Sequence, residues 1–123
     1  MAGVFLDTNI LVDYFERLGW KNAEHLDKSD LFVSVLSVHI LAYSYKYKIP
    51  DDRIDKIFKA FNLVDFDKVV LVRASQGPTE DLEDNIQLHS AVAVDCDVFL
   101  TSDRKLLKLG YFGKVRICDR LSL

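Results

Sequence analysis

Short apolar runs alternate along this chain with segments whose apolar side chains recur at helical spacing, and that alternation dictates a sheet of parallel strands covered on both faces. Val4-Phe5-Leu6 is the first run, and it stops at Asp7-Thr8-Asn9, a cluster suited to capping a helix. Ile10, Leu11, Tyr14, Phe15 and Leu18 then follow the helical period, with Gly19 as the stop. Leu31 to Val35 predicts a second buried strand, and Ser37 a cap for a helix carrying Val38, Leu41, Ala42 and Tyr45 on one face. Pro50 fits the first turn of a further helix, with Asp51 and Asp52 near its positive end and Ile54, Ile57, Phe58 and Phe61 as its stripe. Leu63 to Phe66 predicts a third strand. Asp67 caps a segment in which Val69 to Val72 has strand propensity where a helix is due, and the two readings stay open. Gln76-Gly77-Pro78-Thr79 is a loop, and Leu82, Ile86, Leu88 and Ala91 to Ala93 mark a largely buried helix from Asp81 to about Asp95. Asp97 to Leu100 is the fourth strand, Ser102 or Asp103 opens a basic helix ending at Leu109-Gly110, and Val115-Arg116-Ile117 is the last strand. The expected architecture is α/β: a three-layer domain with a central, mostly parallel sheet of about five strands between helices.

Composition narrows the classes further. At 123 residues, half of them hydrophobic and 28% charged, the chain has the size and core of one globular domain over residues 1–123, with no Gly/Ser linker or repeat to divide it. Runs such as Leu31-Phe32-Val33 are far shorter than the roughly 20 residues a membrane helix needs. With no basic-then-apolar leader before Val4, a cytoplasmic location is expected. Sixteen Lys and Arg against nineteen Asp and Glu leave a net charge of −3, which argues against nucleic-acid binding by bulk positive charge. A phosphate-bearing partner would need a local basic patch or a metal ion seated among the acids. Cys96 and Cys118 have no second pair and no histidine at ligand spacing, so two reduced thiols are expected.

The acids at strand ends carry the sharpest chemical signal. In a parallel sheet, ligands bind beyond the carboxyl ends of the strands. Asp7 directly follows the first strand, and Asp103 follows the fourth through Thr101-Ser102. Asp84, in the first turn of the helix that leads into the fourth strand, can point to the same edge. Three converging carboxylates repel one another and favour their protonated forms. A hard divalent cation resolves that conflict, because Mg²⁺ and Mn²⁺ are held by a few carboxylates, water and substrate phosphate.

Phe5-Leu6-Asp7-Thr8-Asn9-Ile10-Leu11-Val12-Asp13 resembles the opening of PIN-domain ribonucleases, among them the VapC toxins. Leu82-Glu83-Asp84-Asn85-Ile86-Gln87 and Asp97-Val98-Phe99-Leu100-Thr101-Ser102-Asp103 match the family in order, and residues 31–43 resemble its second strand and third helix. The resemblance implies a metal-dependent endoribonuclease, the toxin of a toxin–antitoxin pair, working with Mg²⁺ or Mn²⁺ on an RNA substrate, forming a homodimer and silenced by an antitoxin protein. It implies Asp7, Asp84 and Asp103 as catalytic metal ligands, with Thr8, Asn9, Thr101 and Ser102 orienting them. The chain departs from the family at one acid. Many members carry Glu three positions after the Ser or Thr of the third helix, whereas here Ser37 is followed at that distance by Ile40. The alternative is therefore a weakened PIN-fold module that binds RNA or protein without cutting.

Several other side chains are candidates. His39 precedes Ile40 and is a candidate to stand in for the lost acid, although adjacent helical positions point about 100° apart. Asp81 is expected at a helix cap, within reach of a second ion through water, and Asp13 and Glu83 are expected to face solvent. Arg17, Arg104 and Lys105 are candidate RNA contacts, and the Tyr43, Tyr45 and Tyr47 stretch interleaves aromatics with lysines in a way that suits base stacking. His25 and His89 show no partner pattern. A phospho-acceptor receiver is disfavoured because only one acid follows the first strand. A haloacid-dehalogenase phosphatase is disfavoured because Asn9 occupies the place of its second Asp.

Overall fold

The structure is a computed structural model that describes residues 3–17 and 30–120. Its element order is β1 (Val4–Leu6), α1 (Thr8–Glu16), β2 (Leu31–Ser34), α2 (Val35–Ser44), α3 (Asp52–Ala60), β3 (Asn62–Val64), α4 (Lys68–Ala74), α5 (Leu82–Ala93), β4 (Val98–Leu100), α6 (Arg104–Leu109), β5 (Tyr111–Phe112) and β6 (Val115–Cys118). The strands form one sheet in the order β3-β2-β1-β4-β6-β5, parallel except for the β5–β6 pair. This is the expected α/β architecture with one added strand. That strand is two residues long and pairs through a tight turn at Gly113, whose φ of 59° suits glycine.

Successive side chains of a strand point to opposite faces, and both faces here are covered, which is why each strand reads as an unbroken apolar run. Val4 and Leu6 pack with Val33 and Leu100 against Ile10, Leu11, Leu41, Ile57 and Phe61. On the other face Phe5 lies over Phe99, ring centroids 5.6 Å apart, against Leu88, Ala91 and Leu106. A smaller cluster of Val70, Ala74 and Ile86 joins α4 to α5.

Helix starts follow side-chain caps. Asp7, Ser34, Asp51, Asp67, Asp81 and Asp103 each accept a hydrogen bond from a backbone N–H of the helix they open. Two expectations change as a result, and one open reading is settled. Ser34, not Ser37, caps α2, because β2 ends earlier than its apolar run suggested. Pro50 lies outside α3, which Asp51 caps. The segment after Asp67 is the helix α4, so the cap and the packing of Val70 and Ala74 override its β-branched residues. Leu18, Gly19 and His25 lie outside the described residues.

The end of α1 is tied to the α2–α3 connection by a compact network. Tyr47 donates its hydroxyl to Glu16 at 2.8 Å, and Arg53 reaches Glu16 at 2.6 Å and Asp51 at 2.8 Å while its guanidinium lies 3.8 Å from the Tyr47 ring centroid. Helical spacing would put Tyr43 and Tyr47 on one face, but α2 ends at Ser44, Lys46 has φ 54°, and Tyr47 folds back inward. Cys96 and Cys118 are free thiols. Among the described residues no helix is long and apolar enough to cross a membrane.

Candidate active site

Strand order explains why residues far apart in sequence meet. The chain builds the sheet outward from β1 through β2 to β3, then returns to place β4 on the other side of β1. Adjacent strands that lead their connections in opposite directions leave a crevice beyond their carboxyl ends. Asp7 leaves β1 into that crevice and Thr101 to Asp103 leave β4 into it. The backbone ladder continues to this point, the Asp7 N–H donating to the Leu100 carbonyl at 2.9 Å.

Asp7 is buried, and its carboxylate is held from two sides. Oδ1 accepts from the Thr8 N–H at 2.8 Å, and Oδ2 accepts the Thr101 hydroxyl at 2.7 Å. Thr101 in turn accepts the Asp103 N–H at 3.0 Å, so one hydroxyl fixes both acids. Burial nevertheless pushes the Asp7 carboxyl up to about 6, with Glu83 and Asp103 adding to the rise and the two hydrogen bonds opposing it. Asp84 is pushed up to about 7, by burial first and then by the charges of Asp81, Asp7, Asp103 and Glu83. Asp103 caps α6, accepting the Lys105 N–H at 2.8 Å.

These acids border one groove. A cavity of about 430 Å³ is lined by Asp7, Thr8, Asn9, Val12, Arg17, Ser44, Tyr45, Glu83, Asp84 and Asp103. A second hollow of about 590 Å³ shares Asp84 and Asp103 and continues past Asp81 to Lys105. Among the described residues no ion pair reaches Asp7, Asp84 or Asp103, so no described side-chain cation neutralises the centre. Arg17 stands at the rim, paired with Asp13.

The structure therefore brings Asp7, Asp84 and Asp103 to one groove, with Thr8 and Asn9 beside them, Thr101 beneath Asp7, and Asp81 at the adjoining α5 cap. Ser102 is exposed and takes no part in the hydrogen bonds around Asp7. His39 is not brought there; it is exposed and stacks with Tyr43, ring centroids 6.1 Å apart. Arg104 is exposed and lines neither hollow. Ile40, at the position where the resemblance implies Glu, is half-buried and is not among the groove residues.

Sequence reasoning missed three contributors. Glu83 is exposed as expected, yet it borders the groove, its carboxyl raised by partial burial and by Asp81 and opposed by a hydrogen bond with Thr8. Ser37 and Gln87 form a buried polar support, Ser37 Oγ lying 2.8 Å from Thr8 Oγ1 and Gln87 Nε2 donating to the same oxygen at 3.2 Å. The signal for both was a polar residue inside an otherwise apolar helix face.

A divalent cation suits this donor set. Every candidate ligand is oxygen, two carboxyls are pushed towards neutrality by burial and by neighbouring acids, and the buried Asn9 Oδ1 has no hydrogen-bond partner among the described residues. Hard cations of the Mg²⁺ and Mn²⁺ type prefer such oxygens. The acids border a groove without closing on one point: among the described residues no three Asp, Glu, His or Cys side chains stand together closely enough to hold a metal ion as they are placed.

Comparison with known proteins agrees with this fold. The PIN domain family model matches residues 4–110. No curated protein sequence matches the chain significantly. Among solved structures, VapBC2 from Rickettsia felis bound to a promoter DNA fragment aligns with a TM-score of 0.67 at 16% identity, covering 93% of this chain and 96% of that one. A toxin–antitoxin complex from Klebsiella pneumoniae gives 0.66 at 22% identity, covering 92% and 95%. DNA-bound VapBC from Salmonella typhimurium gives 0.63 at 18%, covering 95% and 97%. With the family model spanning far more than half of its length, the chain belongs to the PIN domain family.

Proposed function

We propose that this protein is a metal-dependent endoribonuclease, the toxin of a toxin–antitoxin pair, with Asp7, Asp84 and Asp103 as its catalytic metal ligands. The observation that carries the reading is the meeting of these three carboxylates, from the ends of β1, α5 and β4, in one groove beside the unpartnered Asn9 Oδ1. Asp7, Asp84 and Asp103 would hold Mg²⁺ or Mn²⁺, which would supply the charge needed to activate water and to stabilise the phosphate oxygens in hydrolysis of an RNA phosphodiester. Thr101 keeps the Asp7 carboxylate oriented and ties it to Asp103, while Thr8, backed by Ser37 and Gln87, fixes the start of α1. Arg17, beside the hollow that holds Asp7, and Lys105, beside the adjoining hollow that shares Asp84 and Asp103, offer charge to phosphates neighbouring the cleaved one.

The partners follow from the same reading: an antitoxin protein that covers the acidic groove, a second copy of the chain as a homodimer, and a cytoplasmic location. Purified protein should cleave RNA with Mn²⁺ or Mg²⁺ and stop when the cation is chelated. Asp7→Asn and Asp84→Asn should each slow cleavage by at least about a hundredfold. Equal cleavage by the parent and both variants means a contaminating nuclease and removes the proposal. One observation favours a second reading, a binding module without catalysis: Ile40 supplies no carboxylate from α2. Tight RNA binding with no Asp7-dependent cleavage would select it.

A further inference from the structure

The wall that α2 presents to the groove is not acidic. It carries Ser44 and Tyr45, and Arg17 faces the same hollow from the end of α1. We propose that Tyr45 and Arg17 form a stacking subsite for one unpaired base next to the scissile phosphate of single-stranded RNA, a specificity element that rests on the nuclease reading above.

Tyr45 is 41% exposed while bordering the groove that holds Asp7, Asp84 and Asp103. Its backbone is fixed on both sides. The Tyr45 N–H donates to the Leu41 carbonyl at 3.1 Å, and the turn after it is closed by Lys46 N–H to Tyr43 at 3.3 Å and Tyr47 N–H to Ala42 at 2.9 Å. A side chain anchored at its backbone loses less freedom on binding than one carried on a free loop. The carboxyl end of a helix repels phosphate, so the α2 terminus alone is a poor anchor for the RNA backbone. An aromatic face is indifferent to that field and accepts any base by stacking. Arg17, paired with Asp13, adds guanidinium N–H donors for a phosphate where the helix end has none.

Charge along the groove runs cation, acids, cation, from Arg17 through Asp7, Asp84 and Asp103 to Lys105. That order fits a strand whose central phosphate meets a metal ion while its neighbours meet side-chain cations. A base inside a duplex is already stacked and cannot lie on Tyr45, which points to single-stranded substrate. Tyr43, though 78% exposed, does not border the groove and serves as the internal control.

The test uses the cleavage-silenced Asp84→Asn protein with Mg²⁺ and an oligouridylate carrying one 2-aminopurine, moved in turn through each position. Stacking on Tyr45 should quench the fluorophore at one position. Tyr45→Ala should abolish that quenching and weaken binding about tenfold, Tyr45→Phe should keep both, and Tyr43→Ala should change neither. Arg17→Ala should weaken binding and flatten its salt dependence. The proposal is overturned if the parent shows no position-specific quenching, if Tyr45→Ala quenches as the parent does, or if Tyr45→Phe fails as Tyr45→Ala does. It is equally overturned if Tyr45→Ala spares the oligonucleotide signal but changes the sedimentation of the free protein, which would make Tyr45 a protein contact. Asp7-dependent cleavage without a Tyr45 signal removes the subsite alone, whereas a Tyr45 signal without cleavage removes the nuclease.

Discussion

Thr101 shows how one hydroxyl can organise a site. It donates to the buried Asp7 Oδ2 and accepts from the Asp103 N–H, so Thr101→Val, nearly equal in shape, strands both partners. An unmet buried hydrogen bond costs about 1–3 kcal/mol, more when one partner is charged. Urea denaturation should show a loss of that size, with Asp7 raised further as its hydroxyl donor disappears. Asp84 should behave in the opposite way. Its carboxyl is raised to about 7, so without metal its charged form is less favourable in the folded chain than in the unfolded one. Stability from such a group is present below the unfolded value of 3.8 and is lost as pH rises through about 7. In chelator, Asp84→Asn should therefore melt higher than the parent at pH 8, and the gap should shrink by pH 5. A gap that ignores pH, in melting curves at both values, contradicts the electrostatic account. Asp7, Asp84 and Asp103 were legible because each stands beside an apolar run or opens a helix. Glu83 was not, because adjacent helix positions point about 100° apart, and only the folded groove shows a width that both can border.

At the scale of elements, the start of α5 depends on a residue that sequence reading passed over. Asn85 is buried, and its Oδ1 accepts from the Thr79 N–H at 2.9 Å and the Thr79 hydroxyl at 2.7 Å. Its Nδ2 donates to the carbonyls of Ala74 and Thr79, each at 2.9 Å. The side chain thus closes the α4–α5 connection and sets the turn that carries Asp81 and Asp84. Asn85→Ala should cost on the order of 3 kcal/mol by denaturant unfolding and lower cleavage with it, since it empties four hydrogen bonds in a buried place. The loop over Gln76 to Thr79 was evident from its Gly-Pro pair, but the side chain that fixes it was not, because its partners are carbonyls whose positions only the folded loop defines. Ser34 and Ser37 pose a similar problem. Both suit a helix cap, and the choice depends on where β2 stops pairing with β3, which places Ser37 inside the helix as a support for Thr8.

Across the whole molecule, the groove lies on the seam of the sheet. On one side stand β1, β2 and β3, on the other β4, β6 and β5. The halves are joined by the β1–β4 ladder and by the Thr101–Asp7 bond at its end. The alternation of runs and helical segments made the parallel sheet legible, because its strands are buried on both faces. The strand β5 escaped, since two residues closed by a glycine turn leave no periodicity to read. A cation held between Asp7 of one half and Asp103 of the other would relieve the repulsion there and bind only the folded chain, because an unfolded chain does not assemble three acids. A ligand present at a hundred times its dissociation constant stabilises the folded state by about 2.7 kcal/mol. In a domain of this size, that shifts melting upward by on the order of 10 °C. Titrating Mn²⁺ into the chelator-treated protein should show this rise, chelator should reverse it, and Asp7→Asn with Asp103→Asn should remove it. A rise that persists in the double variant would place the ion elsewhere, and no rise at saturating Mn²⁺ would leave the three carboxylates without the cation on which the catalytic proposal depends.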